Sequence, residues 1–234
     1  MFGAADAVVI ANGENYKQGF DALAANYLAG QVGASILLTQ GGRLPPETLA
    51  AVCSVLKGST AASKTIYILG GTDSVSPAVA TALSKPCTPV LGNVRVVRIG
   101  GADRYATAAM IATGAFGASG NDYPRGIGVF ALGGEKPLRT AIVASGEANA
   151  DALSAGGIAA QFHLPMLLTA AGSLPDATAK AITTLKIEQV IVLGGPDRVS
   201  QKVKGQLTAL GVRNIVTIAG QDRFETSALL GTLA

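Results

Sequence analysis

Short runs of consecutive apolar residues recur along the chain and alternate with longer, alanine-rich stretches. Continuous apolar runs of this length are typical of strands in a parallel sheet that is covered on both faces. Strands that alternate with helices imply right-handed βαβ crossovers, so the sequence predicts an α/β protein with parallel sheets flanked by helices. The predicted strands lie near residues 7–11, 35–39, 65–69, 94–99, 140–144, 165–169, 189–193 and 214–218.

Local signals predict where several helices begin. Ser76 precedes Pro77, which is the arrangement of an N-cap followed by proline at the first helical position. Pro45 and Pro175 lie where two further helices are expected to start. Residues 129–132 indicate a short extra strand within a connecting segment.

Seven sequence blocks occur twice in the same order, which indicates an internal repeat. The paired blocks are Asp6–Glu14 with Thr140–Glu147, Asp21–Leu23 with Asp151–Leu153, Ser35–Thr39 with Pro165–Thr169, Arg43–Pro45 with Ser173–Pro175, Ile68–Gly71 with Val192–Gly195, Val75–Ser76 with Val199–Ser200, and Ile99–Tyr105 with Ile218–Phe224.

The repeats predict a division of the 234 residues into a first repeat at 1–113, a connecting segment at 114–139 and a second repeat at 140–234. Residues 218–234 match the motif at 99–113, so they resemble the opening of a further repeat. We expect a longer array, or another subunit, to cover the last apolar face, because stacked repeats need such closure.

Composition and charge exclude some classes of partner. The net charge is +3 and charged residues make up 14% of the chain, which is too little for a nucleic-acid-binding surface but compatible with an anionic polymer. No apolar run reaches the length of a membrane span. The segment before the first strand has no basic region or cleavage site, so we expect any signal peptide to lie outside these residues.

Cys53 and Cys87 are the two cysteines of the chain. They can form one disulfide or remain two buried thiols, and the sequence leaves both alternatives open because pairing depends on compartment and geometry. Their spacing matches no metal-binding or redox motif.

The repeated blocks resemble the cell-wall-binding repeat 2 family of Gram-positive surface proteins. The second copy follows the family pattern more closely, with Ala144-Ser145-Gly146, Asp151-Ala152-Leu153-Ser154-Ala155 and Pro165-Met166-Leu167-Leu168-Thr169. The first copy has Asn12 where the family has serine, and Thr217 stands where the family has arginine.

This resemblance implies tandem Rossmann-like or flavodoxin-like repeats in a pseudo-symmetric arrangement, of which family members usually carry three. It further implies a non-catalytic, extracellular module that anchors an exported protein to anionic polysaccharide of the cell wall, often beside a separate effector domain.

Polar residues and glycines at the ends of the repeated blocks are the candidate ligand contacts. Arginine offers a planar donor fork to carboxylate or phosphate, and glycine turns let backbone N–H groups face an anion. Each also has a structural interpretation: aspartate as a helix cap, arginine in an ion pair across the repeat interface, and glycine in a tight turn. The candidates are Arg98, Asp103, Arg104, Thr107, Asp222, Arg223 and Thr226, with Gly70, Gly71, Gly194 and Gly195.

Other repeated positions are interpreted structurally. Asp21 and Asp151 are expected in the first turns of helices, where the macrodipole favours acids. Residues 36–38 are predicted to be core strand, and Tyr105 and Phe224 are predicted to pack at repeat interfaces.

No catalytic residue, metal ligand or cofactor is predicted. His163 is the only histidine and is expected to be structural at a helix end, so acid–base chemistry would rest on carboxylates alone. Two alternative functions remain. One is a surface-layer or virion-like assembly protein that forms homo-oligomers through repeat faces. The other is a Rossmann-like domain that binds a nucleotide or sugar phosphate, which fold analogy alone supports.

Overall fold

A computed structural model of the chain describes residues 4–14, 20–85, 87, 91, 94–114, 126–132, 136–148 and 150–233. Two parallel sheets, one from each half of the chain, carry helices on their faces and pack against each other through those helices.

The first repeat forms a four-stranded parallel sheet in the order β2-β1-β3-β4. This is the flavodoxin-like order, in which the chain reverses direction across the sheet between β1 and β3. Its elements are β1 (Ala7–Asn12), α1 (Phe20–Val32), β2 (Ser35–Thr39), α2 (Pro46–Lys57), β3 (Lys64–Leu69), α3 (Pro77–Ser84), β4 (Val94–Ile99) and α4 (Arg104–Thr113).

The second repeat has the same parallel order, β7-β6-β8-β9, and adds a short antiparallel strand, β5, on the first residues of β6. The predicted α/β fold, its repetition and the extra strand are therefore confirmed. Its elements are β5 (Val129–Phe130), β6 (Leu138–Ser145), α5 (Ala150–Ser154), α6 (Gly156–Gln161), β7 (Met166–Thr169), α7 (Asp176–Thr184), β8 (Gln189–Leu193), α8 (Gln201–Ala209), β9 (Asn214–Ile218) and α9 (Arg223–Gly231).

The predicted helix starts are also confirmed. The Ser76 side chain accepts a hydrogen bond from the Val79 N–H, and Ser200 does the same for Val203. Pro45 and Pro175 are the N-cap residues of α2 and α7. Serine caps satisfy N–H groups that the first helical turn leaves without partners.

The two repeats share one hydrophobic core. Helices α1 and α4 of the first repeat pack against α6, α7 and β7 of the second. Small residues allow this close approach: a Cβ on Gly30 would lie 2.7 Å from the Ala160 Cα, and one on Gly146 would lie 2.5 Å from the Tyr105 ring. Tyr105 therefore lies at the repeat interface as predicted.

Two predictions about buried residues are wrong. Leu38 on β2 is 54% exposed, whereas its counterpart Leu168 on β7 is fully buried. Phe224 on α9 is 76% exposed, whereas its counterpart Tyr105 lies against the second repeat. The cause is the same in both cases: the first repeat covers Leu168 on β7, whereas no described part of the chain covers the surface at Leu38 or at Phe224.

Cys53 and Cys87 form a disulfide, which decides between the two alternatives left open by the sequence. Their Cα atoms are 5.9 Å apart, within the usual range for such bonds. The bond ties α2 to the segment that follows α3.

Candidate functional site

The same set of polar residues and glycines recurs at the carboxyl ends of the strands in both repeats. An aspartate lies in the first turn of α1 and of α5, a Gly-Gly turn follows β3 and β8, and an Asp-Arg pair follows β4 and β9. In open α/β sheets this edge, at the point where the strand order reverses, is where ligands bind.

Glycine is required at the first position of each Gly-Gly turn. Gly70 and Gly194 have φ of 92° and 93°, which favours glycine. A Cβ at Gly70 would also lie 2.5 Å from an Asp21 carboxylate oxygen, and one at Gly194 would lie 2.9 Å from Asp151. The turns thus make room for the aspartates, which lie in the first helical turns as predicted.

The Asp-Arg motifs start helices in the same way in both repeats. The Asp103 carboxylate accepts a hydrogen bond from the Ala106 N–H at 2.7 Å. Asp222 accepts from the N–H groups of Phe224 and Glu225, both at 2.9 Å. The structural interpretation of both aspartates as helix caps is confirmed.

Thr107 and Thr226 fasten the turn that precedes each of these helices. The Thr107 hydroxyl accepts a hydrogen bond from the Gly101 N–H and donates one to the Asp103 carbonyl, each at 3.0 Å. Thr226 makes the equivalent bonds with Gly220 and Asp222. Both threonines are buried, so they support the ends of β4 and β9 from inside.

Arg98 binds the Gly-Gly turn of its own repeat. Its guanidinium donates to the carbonyls of Gly70 and Gly71 at 2.9 and 3.0 Å, and burial lowers its pKa. At the corresponding position of the second repeat, Thr217 accepts a hydrogen bond from Lys204. An arginine therefore stabilises the Gly-Gly turn of the first repeat, whereas the second repeat has no arginine at the equivalent position.

The second repeat closes over the Asp-Arg motif of the first. Arg104 donates a hydrogen bond at 2.6 Å to the carbonyl of Gly146, in the turn after β6. It crosses the repeat interface as predicted, but this contact is with a backbone carbonyl and not the predicted carboxylate. Asp21 lies beneath this contact, 9% exposed, with Ser74 at 3.5 Å. Burial raises its pKa to about 6, opposed by Ser74, the charge of Arg104, and Thr107.

In the second repeat the equivalent region is an open cleft of about 600 Å³. Every candidate predicted for this repeat lines it: Gly194, Gly195, Asp222, Arg223 and Thr226. The cleft also contains residues that the sequence analysis did not select. These are Asp197 and Arg198, which follow the Gly-Gly turn, and Asp151, which had been interpreted only as a first-turn acid.

The cleft combines charges of both signs. Arg198 and Arg223 are exposed, and neither guanidinium makes a hydrogen bond or an ion pair with the described residues. Three carboxylates share the lining with them. Such a surface can pair a guanidinium with an anionic group while carboxylates accept hydrogen bonds from neighbouring hydroxyls.

The family model described as Cell wall binding domain 2 (CWB2) matches residues 2–80 and 98–204. The chain belongs to the CWB2 family. The resemblance noted in the sequence is thereby confirmed. The first matched segment lies within the first repeat, and the second runs from the end of the first repeat into the second.

Individual relatives of this CWB2 chain support the family assignment. It is 30% identical over 138 residues to N-acetylmuramoyl-L-alanine amidase LytC of Bacillus subtilis, covering 59% of this chain and 24% of LytC. Among solved structures, Cwp8 from Clostridium difficile matches with a TM-score of 0.74 and 30% identity, covering 97% of this chain and 33% of Cwp8. Cwp6 from the same organism gives 0.76 and 26%, over 98% and 32%.

The CWB2 chain therefore spans only a quarter to a third of the length of these relatives. Within the described ranges, no helix has both the length and the apolar character needed to cross a membrane.

Proposed function

We propose that this chain is a non-catalytic, extracellular module that holds an exported protein on the cell wall by binding an anionic wall polysaccharide. Membership of the CWB2 family supports wall binding as its role. The observation that carries the proposal further is the open cleft of the second repeat, with Arg198 and Arg223 free to contact a ligand.

The chemistry of the cleft suits a hydroxyl-rich polymer with anionic groups. Arg198 and Arg223 supply planar donor forks that match carboxylate or phosphate. Asp151, Asp197 and Asp222 supply acceptors for sugar hydroxyls. Because the cleft is open, a polymer can pass through it without presenting a chain end.

The first repeat does not offer the same surface, which supports the second repeat as the proposed contact. Arg104, the counterpart of Arg223, donates to Gly146 in the repeat interface. Ser74 stands where the second repeat has Arg198, and it faces the buried Asp21. Of the residues predicted to contact ligand, we therefore propose that Gly194, Gly195, Asp222 and Arg223 do so. The others build the scaffold: Arg98, Asp103, Arg104, Thr107, Thr226, Gly70 and Gly71.

Wall binding is expected to depend on the anionic polymer. The protein should co-sediment with purified Gram-positive walls and should be released when those polymers are stripped or when salt screens the charges. Walls that keep their peptidoglycan but lack the anionic polymer are the control. Equal binding to both preparations, or none to intact walls, would contradict the proposal.

A second role, in assembly, is favoured by the uncovered face of α9. This face is equivalent to the face of α4 that docks on the turn at Gly146 and on β7. The corresponding acceptor surface on the first repeat, at Gly13 and the exposed Leu38, is likewise uncovered by described residues. We propose that α9 of one chain packs on β2 of a second copy, continuing the internal repeat interface.

Self-association should then rise with protein concentration in sedimentation velocity experiments. Phe224→Asp should weaken it by about 2 kcal/mol, the contribution of one buried aromatic side chain, and Leu38→Asp should do the same from the other surface. Leu210→Asp changes an exposed leucine at the end of α8 and serves as the control. A wild-type chain that stays monomeric at the highest attainable concentration would exclude this role.

The division into repeats at 1–113 and 140–234, joined by 114–139, remains our proposal for the domain boundaries. The equivalent strand orders of the two sheets support it. We interpret residues 218–234, which include α9, as the opening of a further repeat.

A further inference from the structure

A second concave surface lies at the opposite end of the strands from the cleft. It is a pocket of about 280 Å³ between the two repeats, at the amino ends of β6 and β8. Tyr27 and Thr113 line it from the first repeat, and Arg139, Thr184 and Lys186 line it from the second.

The charge of this pocket is of one sign. Arg139 and Lys186 are its only charged lining residues among those described. The Glu188 carboxylate lies in the adjoining groove, where it accepts a hydrogen bond from the Arg139 backbone N–H at 3.4 Å. Neither cationic side chain makes a hydrogen bond or an ion pair with a described residue. A neighbouring groove of about 500 Å³ shares both cations and adds Arg213, which is paired with Glu188 at 3.3 Å. The two cations therefore lie between two concavities.

The backbone at Lys186 is unusual. Its φ is 52°, in the left-handed region, in the turn that follows α7. After α1 and α8 the residues with such a φ are Gly33 and Gly211, as is usual past the end of a helix. A lysine here costs the chain some backbone strain and places an ammonium group at the pocket.

Helix dipoles account for part of this arrangement. Helices α4 and α7 both end beside the pocket, and cations near helix C-termini are favourable. That effect explains positive charge near the last turns. It does not require the two cations to share one concave lining with Thr184.

We propose that the pocket at Arg139 and Lys186 binds a phosphate group, either free or carried by a saccharide. The guanidinium offers a donor fork and the ammonium a point charge, which is the usual pairing around phosphate. The exposed hydroxyl of Thr184 adds a neutral donor to the lining. The site is separate from the cleft of the second repeat and does not depend on the function proposed above.

The test is a nuclear magnetic resonance titration of the whole chain with inorganic phosphate, followed by a sugar phosphate in a second arm. Amides at Thr184 and Lys186 and the Arg139 side chain should shift, with a dissociation constant on the order of 1 mM. Lys186→Gly, which suits the positive φ and is expected to fold, should weaken binding about tenfold, as should Arg139→Gln. A stronger response to the sugar phosphate would identify the saccharide-borne group as the ligand.

Two controls separate this site from its surroundings. Arg213→Gln removes a paired cation of the adjacent groove and should change the affinity by less than about twofold. A variant with Arg198→Ala and Arg223→Ala should keep phosphate binding at this pocket, whatever happens to wall binding. Absence of shifts at the pocket, or shifts that persist unchanged in both Arg139→Gln and Lys186→Gly, would overturn the proposal.

Discussion

Replacing Asp21 with asparagine is expected to stabilise the protein at neutral pH by about 3 kcal/mol and to leave its stability near pH 4 almost unchanged. Burial raises the pKa of Asp21 from its ordinary value of 3.8 to about 6. The folded protein therefore holds this proton more tightly than the unfolded chain does. The resulting stability is fully present below pH 3.8 and is lost as the pH rises through about 6.

Urea unfolding of both proteins across this pH range measures the effect. The free energy of unfolding of Asp21→Asn minus that of the wild type should grow as the pH rises from 4 to 7, because asparagine has no proton to lose. The near-equality expected at the acidic end is the internal control. Two parallel curves would show that burial does not raise the pKa of Asp21 in the folded protein.

Gly30→Ala is expected to destabilise the protein by about 3 kcal/mol, at the upper end of what one added methyl costs in a packed interior. The new Cβ would meet the backbone of Ala160 rather than a side chain that could move. Helices α1 and α6 would have to separate, and with them the two repeats. Thermal and urea unfolding measure the loss.

Gly205→Ala is the matched control for this substitution. Gly205 lies within α8, and no atom is near enough to meet an added Cβ. Alanine is the better helix former, so this variant should gain about 0.5–1 kcal/mol. If Gly30→Ala behaved like Gly205→Ala, the close packing of α1 on α6 would not hold the repeats together.

The strands could be predicted from the sequence to within one or two residues, because each is a continuous apolar run that must be buried in a parallel sheet. The start of α3 was equally predictable, since Ser76 and Pro77 form a local capping signal that needs no tertiary information. The repeated order of the sequence blocks also predicted two equivalent sheets, because the same blocks fold into the same strand order twice.

Exposure of the repeated residues could not be predicted in this way. Leu38 and Leu168 are the same residue in the same motif, yet only Leu168 is covered, because the other repeat packs on it. Phe224 and Tyr105 differ for the same reason. Repetition in sequence predicts equivalent folds and gives no information on which copy has a neighbour.

The candidate site was predictable only where it repeats. Asp222, Arg223 and the Gly-Gly turn were found because the first copy has counterparts. Arg198 was not among the predicted residues. Its counterpart in the first repeat is Ser74, so an arginine at this position does not recur. Asp197 does have a counterpart, Asp73, and this recurring aspartate was a signal that could have drawn attention to the turn.

The motif has different surroundings in the two repeats. In the first repeat the motif's arginine, Arg104, is bound to Gly146 and helps join the repeats. In the second repeat Arg223 borders an open cleft beside Arg198. The scaffold is thus repeated, while the surface that we propose to contact polymer is confined to the repeat whose motif is left uncovered.

The most direct test is the affinity of the chain for a purified anionic wall polymer, measured by calorimetry for three proteins. Arg198→Ala combined with Arg223→Ala should bind at least about tenfold more weakly than the wild type, because two charge-assisted contacts are lost. Lys57→Ala combined with Arg213→Ala removes the same charge from exposed sites outside the cleft and should bind nearly as the wild type does. Equal losses in the two double variants, or no loss at Arg198 and Arg223, would contradict polymer binding in the cleft.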